Sequence, residues 1–244
     1  MSDRERKLSK TLCKAIAEGK VVETANSLDL KNFTTRYSLS QILLQATATI
    51  REKTDRNLDL ELMFSDDLKN QHQHVLERCF GLIQESSADD YAASEIKWSP
   101  TKKRKEMLLP DMRYLVVSEP SHSTSHIPGM LPAASKPLGF VSFMITYEDG
   151  YEVIYVYEIH LAVELRSLGI GKILMNMVES IGRRAAIEKC MLTVFKSNKK
   201  AVKWYQHCGY SVDDFSPGPR VLRNGSVKEA SYLILSKRLK DDPT

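Results

Sequence analysis

The sequence has few cysteines, no metal-type spacing of histidines and no long hydrophobic run. Its four cysteines are widely separated and form neither a CxxC pair nor a cysteine–histidine arrangement: Cys13, Cys79, Cys190 and Cys208. This usage is typical of a reduced intracellular protein, and the six histidines likewise predict no metal site. The charged N-terminal residues do not resemble a secretory signal. No apolar stretch approaches the ~20 residues that span a bilayer, so we expect a soluble protein without a membrane partner.

Neither sign of charge dominates the chain. Lysine and arginine number 35 and aspartate and glutamate 31, so the net charge of +4 does not predict direct nucleic acid binding. The first twenty residues are more basic than the rest, which fits either a solvated helix face or an arm directed to the nucleus or chromatin. At 244 residues and 42% hydrophobic content, the chain is long enough for one domain with a real core.

Residues 1–55 predict a helical arm, and 56–240 predict the main domain. In the arm, apolar side chains recur at helical spacing in two places: Leu12, Ala15 and Ile16, and then Leu39, Ile42, Leu43 and Ala46. Such helices need to bury their apolar stripe, and we expect them to do so on the main domain.

The first half of the main domain predicts a strand followed by two helices. Leucines alternate with polar residues from Leu58 to Leu62, which is the period of a half-buried strand. Ser65 is a candidate N-cap for the first helix. That helix would bury Leu68, Val75, Leu76, Cys79, Leu82 and Ile83. Ser99 and Pro100 predict the start of the second helix, which ends before Pro110.

The second half predicts mainly strands. A strand at 114–117 precedes a proline- and serine-rich flexible loop at 118–137. Two strands follow, 139–147 and 153–163, joined by a turn at Asp149-Gly150. The remaining predicted elements are an amphipathic helix after Gly169, a strand at 190–195, a short helix from Lys199, a strand near Tyr210 and a strand at 231–236. This order predicts a mixed α/β sheet covered by helices.

The most informative segment is 165–172, Leu-Arg-Ser-Leu-Gly-Ile-Gly-Lys, between a strand and a long helix. Gly169 and Gly171 allow a tight turn and a close approach of the backbone to a ligand. The N-terminus of the following helix presents unpaired N–H donors. Such a place stabilises a diphosphate, and Arg166 and Lys172 add positive charge. The dinucleotide and Walker patterns do not fit, and the segment alone is equally compatible with an ordinary glycine turn.

In its context this segment resembles the diphosphate loop of the GNAT acetyltransferase superfamily, R/Q-x-x-G-x-G/A after a strand. Downstream, Asn198-x-x-Ala201-x-x-Trp204-Tyr205-x-x-x-Gly209-Tyr210 is similar to that superfamily's second signature. The resemblance implies the GNAT fold, an α/β architecture with a mixed, mostly antiparallel central sheet covered by helices. It also implies acetyl-CoA as the acetyl donor and no metal.

The strand 155–161 carries a carboxylate, Glu158, among apolar residues and tyrosines. One interpretation is that Glu158 pairs with a nearby base while the tyrosines fill the core. The functional interpretation places Glu158 at the centre of the sheet near the thioester. Burial there would raise the pKa of Glu158 towards that of a useful general base.

Several segments resemble the histone N-terminal acetyltransferases called NatD, over about residues 55–238. The matching segments are Asp55-Arg56-Asn57, Tyr91-x-x-Ser94-Glu95 with Trp98, Tyr155 to Leu161, Met191 to Asn198, Val212-Asp213-Asp214 with Ser216-Pro217, and Ser231-Tyr232 before Ile234-Leu235-Ser236. The resemblance implies acetylation of the N-terminal serine of histone H4 and of the A-type H2 histone, both of which begin Ser-Gly-Arg-Gly. It also implies a monomer of the nucleus and cytoplasm whose partners are histone tails.

The same resemblance implies a role for each site residue. Glu158 is the implied general base, acting through water. The residues implied to hold acetyl-CoA are Ile159, His160, Leu161, Arg166, Ser167, Leu168, Gly169, Ile170, Gly171, Lys172 and Asn198. The residues implied to contact the substrate are Tyr91, Glu148, Tyr155, Tyr157, Thr193 and Tyr232. An α-amine has a pKa of ~7.7–8, and only its neutral form attacks a thioester, so a carboxylate beside it has a chemical purpose.

The sequence departs from the NatD pattern at Thr146, where an acid is expected, and at Ile96, where a tryptophan is expected. The loop at 118–137 has no counterpart, and Tyr205 is either a general acid or a packed aromatic. Two other functions stay open: a GNAT enzyme acting on lysine or a small amine, and a catalytically silent acyl-CoA-binding chromatin scaffold.

Overall fold

The computed structural model describes residues 18–120, 135–221 and 223–239. Its main sheet has seven strands in the order β1-β2-β3-β4-β5-β9-β6. The strands are β1 (Asp59–Phe64), β2 (Arg113–Glu119), β3 (Lys136–Glu148), β4 (Tyr151–Leu161), β5 (Lys189–Phe195), β6 (Ser211–Val212), β7 (Arg220–Val221), β8 (Val227–Lys228) and β9 (Tyr232–Arg238). Only β4 and β5 pair in parallel, so the predicted mixed, mostly antiparallel sheet is confirmed.

Helices cover the sheet, also as predicted. In the described ranges they are α1 (Val21–Asn26), α2 (Leu30–Arg36), α3 (Leu39–Thr54), α4 (Ser65–Asn70), α5 (Gln73–Ala93), α6 (Pro100–Met107), α7 (Ile170–Arg184) and α8 (Lys199–His207). The amphipathic pattern of α7 is reflected in its buried positions, which include Leu174, Val178 and Ile181. That face packs on β3, β4 and β5.

The N-terminal segment is helical from Val21 to Thr54, and it joins the core of the sheet. Phe33, Leu39 and Ile50 are fully buried there, while α1 contacts β3 and α3 contacts β1 and α7. The predicted stripe at Leu12, Ala15 and Ile16 lies outside the described residues. The domain boundary at residue 55 stays a prediction.

Arg113 of β2 fastens the N-terminal helices to the sheet. It is almost fully buried, and its guanidinium donates to the Ala25 carbonyl at 2.9 Å and to Asn26 Oδ1 at 3.1 Å. The guanidinium carbon also lies 4.6 Å and 4.9 Å from the ring centroids of Phe33 and Phe64. Since a buried guanidinium needs hydrogen-bond acceptors, these contacts tie α1 and α2 to the strand.

Two predicted features near Ser65 are wrong in detail. Ser65 is the first residue of α4 rather than its N-cap; Phe64 holds the cap position, and its N–H donates to the Asp67 carboxylate. The single helix expected up to Ile83 is two helices, broken where the N–H groups of Gln71 and His72 converge on the Asp67 carbonyl. This backbone arrangement has no hydrophobic signature, because the expected apolar residues are buried on both sides of the break.

The ends of several other elements also differ from prediction. The strands flanking the loop predicted at 118–137 extend to Glu119 and from Lys136, and 121–134 lie outside the described residues. β4 ends at Leu161 rather than 163, because Val163–Leu165 form a 3₁₀ turn. The small hairpin of β7 and β8 was not predicted.

Two other local predictions are confirmed. Ser99 caps α6, accepting from the Lys102 N–H, with Pro100 in the first helical position. Asp149 and Gly150 turn β3 into β4, with φ of +47° and +85°. Such a two-residue turn with both φ angles positive suits the twist of a hairpin.

Candidate active site

A cleft opens in the middle of the sheet where β4 and β5 part. The two strands pair only over Val153–Val156 and Lys189–Leu192. Beyond those residues β4 continues along β3 to Leu161, and β5 continues along β9 to Phe195. The gap between them is a cavity of about 320 Å³. Backbone polar groups on the cleft side of β4 have no strand to pair with there, and they are available to a ligand.

A bulge in β4 determines which side chain lies at the mouth of this gap. Phe143 of β3 is opposite Val156, but the next residue, Ser142, is opposite Glu158 rather than Tyr157. Tyr157 is therefore an extra residue, and Glu158 takes the register position that Tyr157 would otherwise hold. The bulge thus places the carboxylate in the wall of the cavity, which Glu158 and Tyr157 both line.

Glu158 is buried at 8% exposure and is held through both carboxylate oxygens. Its Oε1 accepts from the Tyr91 hydroxyl at 2.8 Å and from Lys103 Nζ at 2.7 Å. Its Oε2 lies 2.6 Å from Nε2 of His160. The His160 Nδ1 shares a second hydrogen bond, 2.7 Å long, with Ser86 Oγ. These five side chains form one polar network, in which Glu158, His160 and Lys103 are buried and every member has a partner.

The expected direction of the Glu158 pKa shift is wrong. Burial acts to raise the pKa of Glu158, as expected, but the hydrogen bond from His160 and the charge of Lys103 outweigh it. The pKa of Glu158 is lowered to about 2. Glu158 is thus a firmly ionised carboxylate at neutral pH, so it attracts a cation strongly but is a weak proton acceptor.

The segment 165–172 forms the predicted turn. Gly169 has a φ of +79° at the N-cap position of α7, and no side chain caps this helix. Its first N–H groups are therefore left for another partner. A second cavity of about 580 Å³ lies here, lined by Ile159, Leu161, Arg166, Ser167, Gly169, Ile170, Gly171, Lys172, Lys200, Ala201, Trp204 and Tyr205. Uncapped amides and three basic side chains suit a diphosphate chemically.

Gly171 is explained by packing more directly than by ligand approach. A Cβ at this position would lie 3.1 Å from the Trp204 ring, which is closer than side chains normally pack. Gly169 is different, because its nearest neighbour would be the end of Lys53 at 3.9 Å. The two glycines therefore serve two purposes: Gly169 permits the turn and Gly171 admits the tryptophan.

Tyr205 of α8 lies where the two cavities meet, and it lines both of them. It is buried, and burial raises the pKa of its phenol well above the usual range. In the described part of the chain its hydroxyl makes no hydrogen bond. A protonated hydroxyl without a protein partner, facing a cavity, is suited to donate a proton to a bound group.

Not all of the other residues predicted to bind the cofactor line a cavity. Leu168 is exposed and lines neither cavity. Asn198 lines the first cavity, and its side chain caps α8 by accepting from the Ala201 N–H. Both ring nitrogens of His160 are hydrogen-bonded, to Glu158 and Ser86, so only the backbone of His160 remains to contact acetyl-CoA.

Three of the predicted substrate residues line the first cavity, namely Tyr91, Tyr157 and Thr193. Tyr155 supports that wall, since its hydroxyl bonds Thr193 and its ring lies 5.2 Å from that of Tyr157. Glu148 and Tyr232 lie outside the cavity lining. Ile96 lines it, in the place where the resemblance implied a tryptophan.

Lys103 and Ser86 belong to the site but were not predicted. Lys103 lies in the basic run Lys-Lys-Arg-Lys at 102–105, which reads as a solvated surface. Its position four residues before the buried Met107 was the one available signal that it faces inwards.

Residues 88–210 match the family described as "Acetyltransferase (GNAT) family". N-alpha-acetyltransferase 40 of Saccharomyces cerevisiae is 28% identical over 171 residues, which is 62% of this chain and 56% of that protein. The chain thus spans just over half the length of that relative.

The fold is similar to the crystal structure of smu.2055 from Streptococcus mutans UA159. The TM-score is 0.50 at 17% identity, and the match covers 75% of this chain and 99% of that one. In the described ranges no helix is long and apolar enough to cross a membrane. Those ranges also contain no group of three or more histidine, cysteine or acidic side chains placed to hold a metal ion.

Proposed function

Because the chain belongs to the acetyltransferase (GNAT) family, we propose that it transfers an acetyl group from acetyl-CoA to the N-terminal α-amine of a protein. The proposed substrates are histone H4 and the A-type H2 histone, which begin Ser-Gly-Arg-Gly. The observation that carries the proposal is the cleft between β4 and β5, which has an anionic carboxylate in one wall and tyrosines around it. The similarity to a yeast N-alpha-acetyltransferase supports a protein N-terminus as acceptor.

Acetyl-CoA enters between the parted strands, with its diphosphate at the uncapped start of α7. Arg166, Lys172 and Lys200 line that cavity and supply positive charge. The Leu161 carbonyl already accepts from Arg166 Nε at 2.9 Å, so the backbone of Ile159 and the N–H of Leu161 are the groups suited to pair with the amides of the pantetheine arm. The thioester then lies at the junction of the two cavities, near Glu158 and Tyr205.

The incoming α-amine is drawn to the Glu158 anion. It arrives as an ammonium and loses a proton before its nitrogen attacks the thioester carbonyl. Since the pKa of Glu158 is about 2, the proton does not stay on the carboxylate. Glu158 orients an ordered water that relays the proton to bulk solvent. An amine pKa near neutrality makes a strong base unnecessary.

The departing sulfur takes a proton from Tyr205. As the carbon–sulfur bond breaks, the thiolate needs a proton, and the Tyr205 hydroxyl is protonated and has no hydrogen-bond partner among the residues that the structure describes. The products are the acetylated amine and coenzyme A with a free thiol. The tyrosine regains its proton from solvent through the open cleft.

Some of the acidic residues that could attract a basic substrate already have partners within the protein. Asp213 pairs with Lys189 at 2.9 Å, and Glu152 accepts from the Val21 N–H at 3.1 Å. Glu148 and Asp149 remain as candidates for meeting the basic residue at the third position of the substrate. Exposed pairs of this kind contribute little, ~0–1 kcal/mol, so we expect modest selectivity from them.

One assay tests the proposal against its alternatives. Full-length protein is incubated with acetyl-CoA and two peptides that begin Ser-Gly-Arg-Gly, one with a free and one with an acetylated amino end. Mass spectrometry should detect an acetyl group only on the free peptide. Transfer to the lysines of the capped peptide would identify a lysine enzyme. Binding of acetyl-CoA without transfer to either peptide would identify a silent binding protein.

A further inference from the structure

Lys103 is a buried lysine on α6, a helix that buries only this residue and Met107. Its side chain is 7% exposed, whereas the adjacent Lys102 and the nearby Lys105 are exposed. A buried ammonium is costly unless its donors are satisfied, so such a position is kept only where partners surround it.

All three donors of this ammonium are used. Lys103 Nζ lies 2.7 Å from Glu158 Oε1, 2.7 Å from the Tyr91 hydroxyl and 2.5 Å from Glu106 Oε1. An ammonium has three N–H groups, so none remains for a substrate. The carboxylates also raise the pKa of Lys103 despite its burial, which keeps it a cation. Lys103 therefore acts through its neighbours and not as a base or nucleophile.

We propose that Lys103 is the positioning residue of the transfer reaction, keeping Glu158 ionised and turning its Oε1 and the Tyr91 hydroxyl towards α6. The inference rests on the proposed function, because it gives Glu158 its task. It deepens that function by explaining how a buried carboxylate stays charged in the wall of the cleft.

The titratable groups around Glu158 support the assignment of Lys103 as the residue that keeps it ionised. The charged or titratable groups that bond it or act on it are Tyr91, Lys103, Glu106, Tyr114, His160 and Tyr205. Lys103 is the permanent cation of this set, since the tyrosines are neutral, Glu106 is itself an acid, and His160 acts mainly through its hydrogen bond to Oε2. Without it, two carboxylates would share one pocket, and each would resist ionisation of the other.

The hydrogen bonds of Lys103 also fix the orientation of the Glu158 carboxylate and the Tyr91 hydroxyl. With Lys103 and Tyr91 on Oε1 and His160 on Oε2, the carboxylate cannot rotate without breaking several hydrogen bonds. Tyr91 is held in the same way, since its hydroxyl accepts from Lys103 and donates to Glu158. Lys103 thus holds in place two residues, Glu158 and Tyr91, that line the first cavity.

Carbon-13 NMR of glutamate carboxyl groups tests the charge of Glu158 directly, whatever the activity. The signal is assigned by its loss in Glu158→Gln. In the natural protein the carboxyl should not titrate between pH 4 and 8. In Lys103→Met the midpoint should rise by about 2–3 pH units, to about pH 4–5, and so enter that window. Lys102→Met, one residue away on the exposed face, should behave like the natural protein.

Lys103→Arg tests the positive charge of Lys103 separately from its hydrogen-bond geometry. It also replaces Lys103→Met as the test variant if Lys103→Met does not fold. It keeps a cation but not the point geometry of an ammonium, so Glu158 should stay ionised while kcat falls at unchanged KM for acetyl-CoA. Titration of Glu158 within pH 4–8 in the natural protein, or its full ionisation there in Lys103→Met, would overturn the inference. A protein that acetylates no peptide but shows the expected titrations would refute the proposed function alone.

Discussion

Replacing Gly169 with alanine tests whether the turn before α7 holds the donor. Gly169 has a φ of +79°, and a Cβ there would find its nearest neighbour at 3.9 Å, so alanine strains the backbone without a clash. The left-handed conformation costs a non-glycine residue ~1–2 kcal/mol. For a chain of this size we expect the melting temperature to fall by roughly 2–8 °C.

Binding of acetyl-CoA should fall by a separate amount. If a backbone N–H at this turn bonds a phosphate oxygen, the Cβ added in Gly169→Ala holds the phosphate away from it, and loss of that hydrogen bond costs about 1.5–3 kcal/mol, as for other hydrogen bonds to charged groups. Calorimetry should then show a dissociation constant raised on the order of ten- to a hundredfold. The natural protein and the variant are compared well below the melting temperature of each.

Two control variants separate strain from ligand binding. Gly150→Ala has the same kind of strain, with φ at +85° and no atom within 4 Å, but lies at the β3–β4 turn. It should lose similar stability and bind acetyl-CoA normally. Gly169→Asn places a side chain at the loop but tolerates the left-handed conformation better, so it should lose less stability. Unchanged affinity in both Gly169 variants would refute the diphosphate site.

Four further predictions concern the reaction and the fold. Glu158→Gln should lower kcat by ~10²–10⁴-fold with acetyl-CoA affinity retained by calorimetry, and a fully active variant would reject its role. The pKa of Glu158 is lower when folded than its unfolded ~4.3, so the stability that its charge contributes is complete above about pH 4.5 and lost as pH falls towards 2. Denaturant titrations should therefore show the gap between the natural protein and Glu158→Gln narrowing below pH 4, and a constant gap would contradict the lowered pKa. Tyr205→Phe should reduce kcat without changing the melting temperature, whereas unchanged kcat would leave Tyr205 as a packed aromatic. Arg113→Met removes the hydrogen bonds to Ala25 and Asn26, so it should cost ~2–3 kcal/mol of unfolding free energy, and a cost near zero would show that α1 does not depend on them.

Local sequence signals predicted the order of the elements and the position of the turn at Gly169. Hydrophobic period, caps and turn residues act over a few neighbouring positions, so they can be read from the chain directly. That is why α7, the Asp149-Gly150 hairpin and the Ser99 cap were all predicted. The break between α4 and α5 was missed, because the apolar pattern continues through it.

The charge state of Glu158 was decided only by the tertiary structure. From the sequence, burial of a lone carboxylate predicted a raised pKa, and that term is present. The opposing effects come from His160, two residues further along the same strand, and from Lys103, which is 55 positions away in the chain. Electrostatic interaction depends on distance in space and on exclusion of water, and neither is written in local spacing. The chain by itself thus determined that a carboxylate lies in a central strand. Only the folded structure, in which His160 bonds this carboxylate and α6 brings Lys103 to it, determined that the carboxylate is an anion.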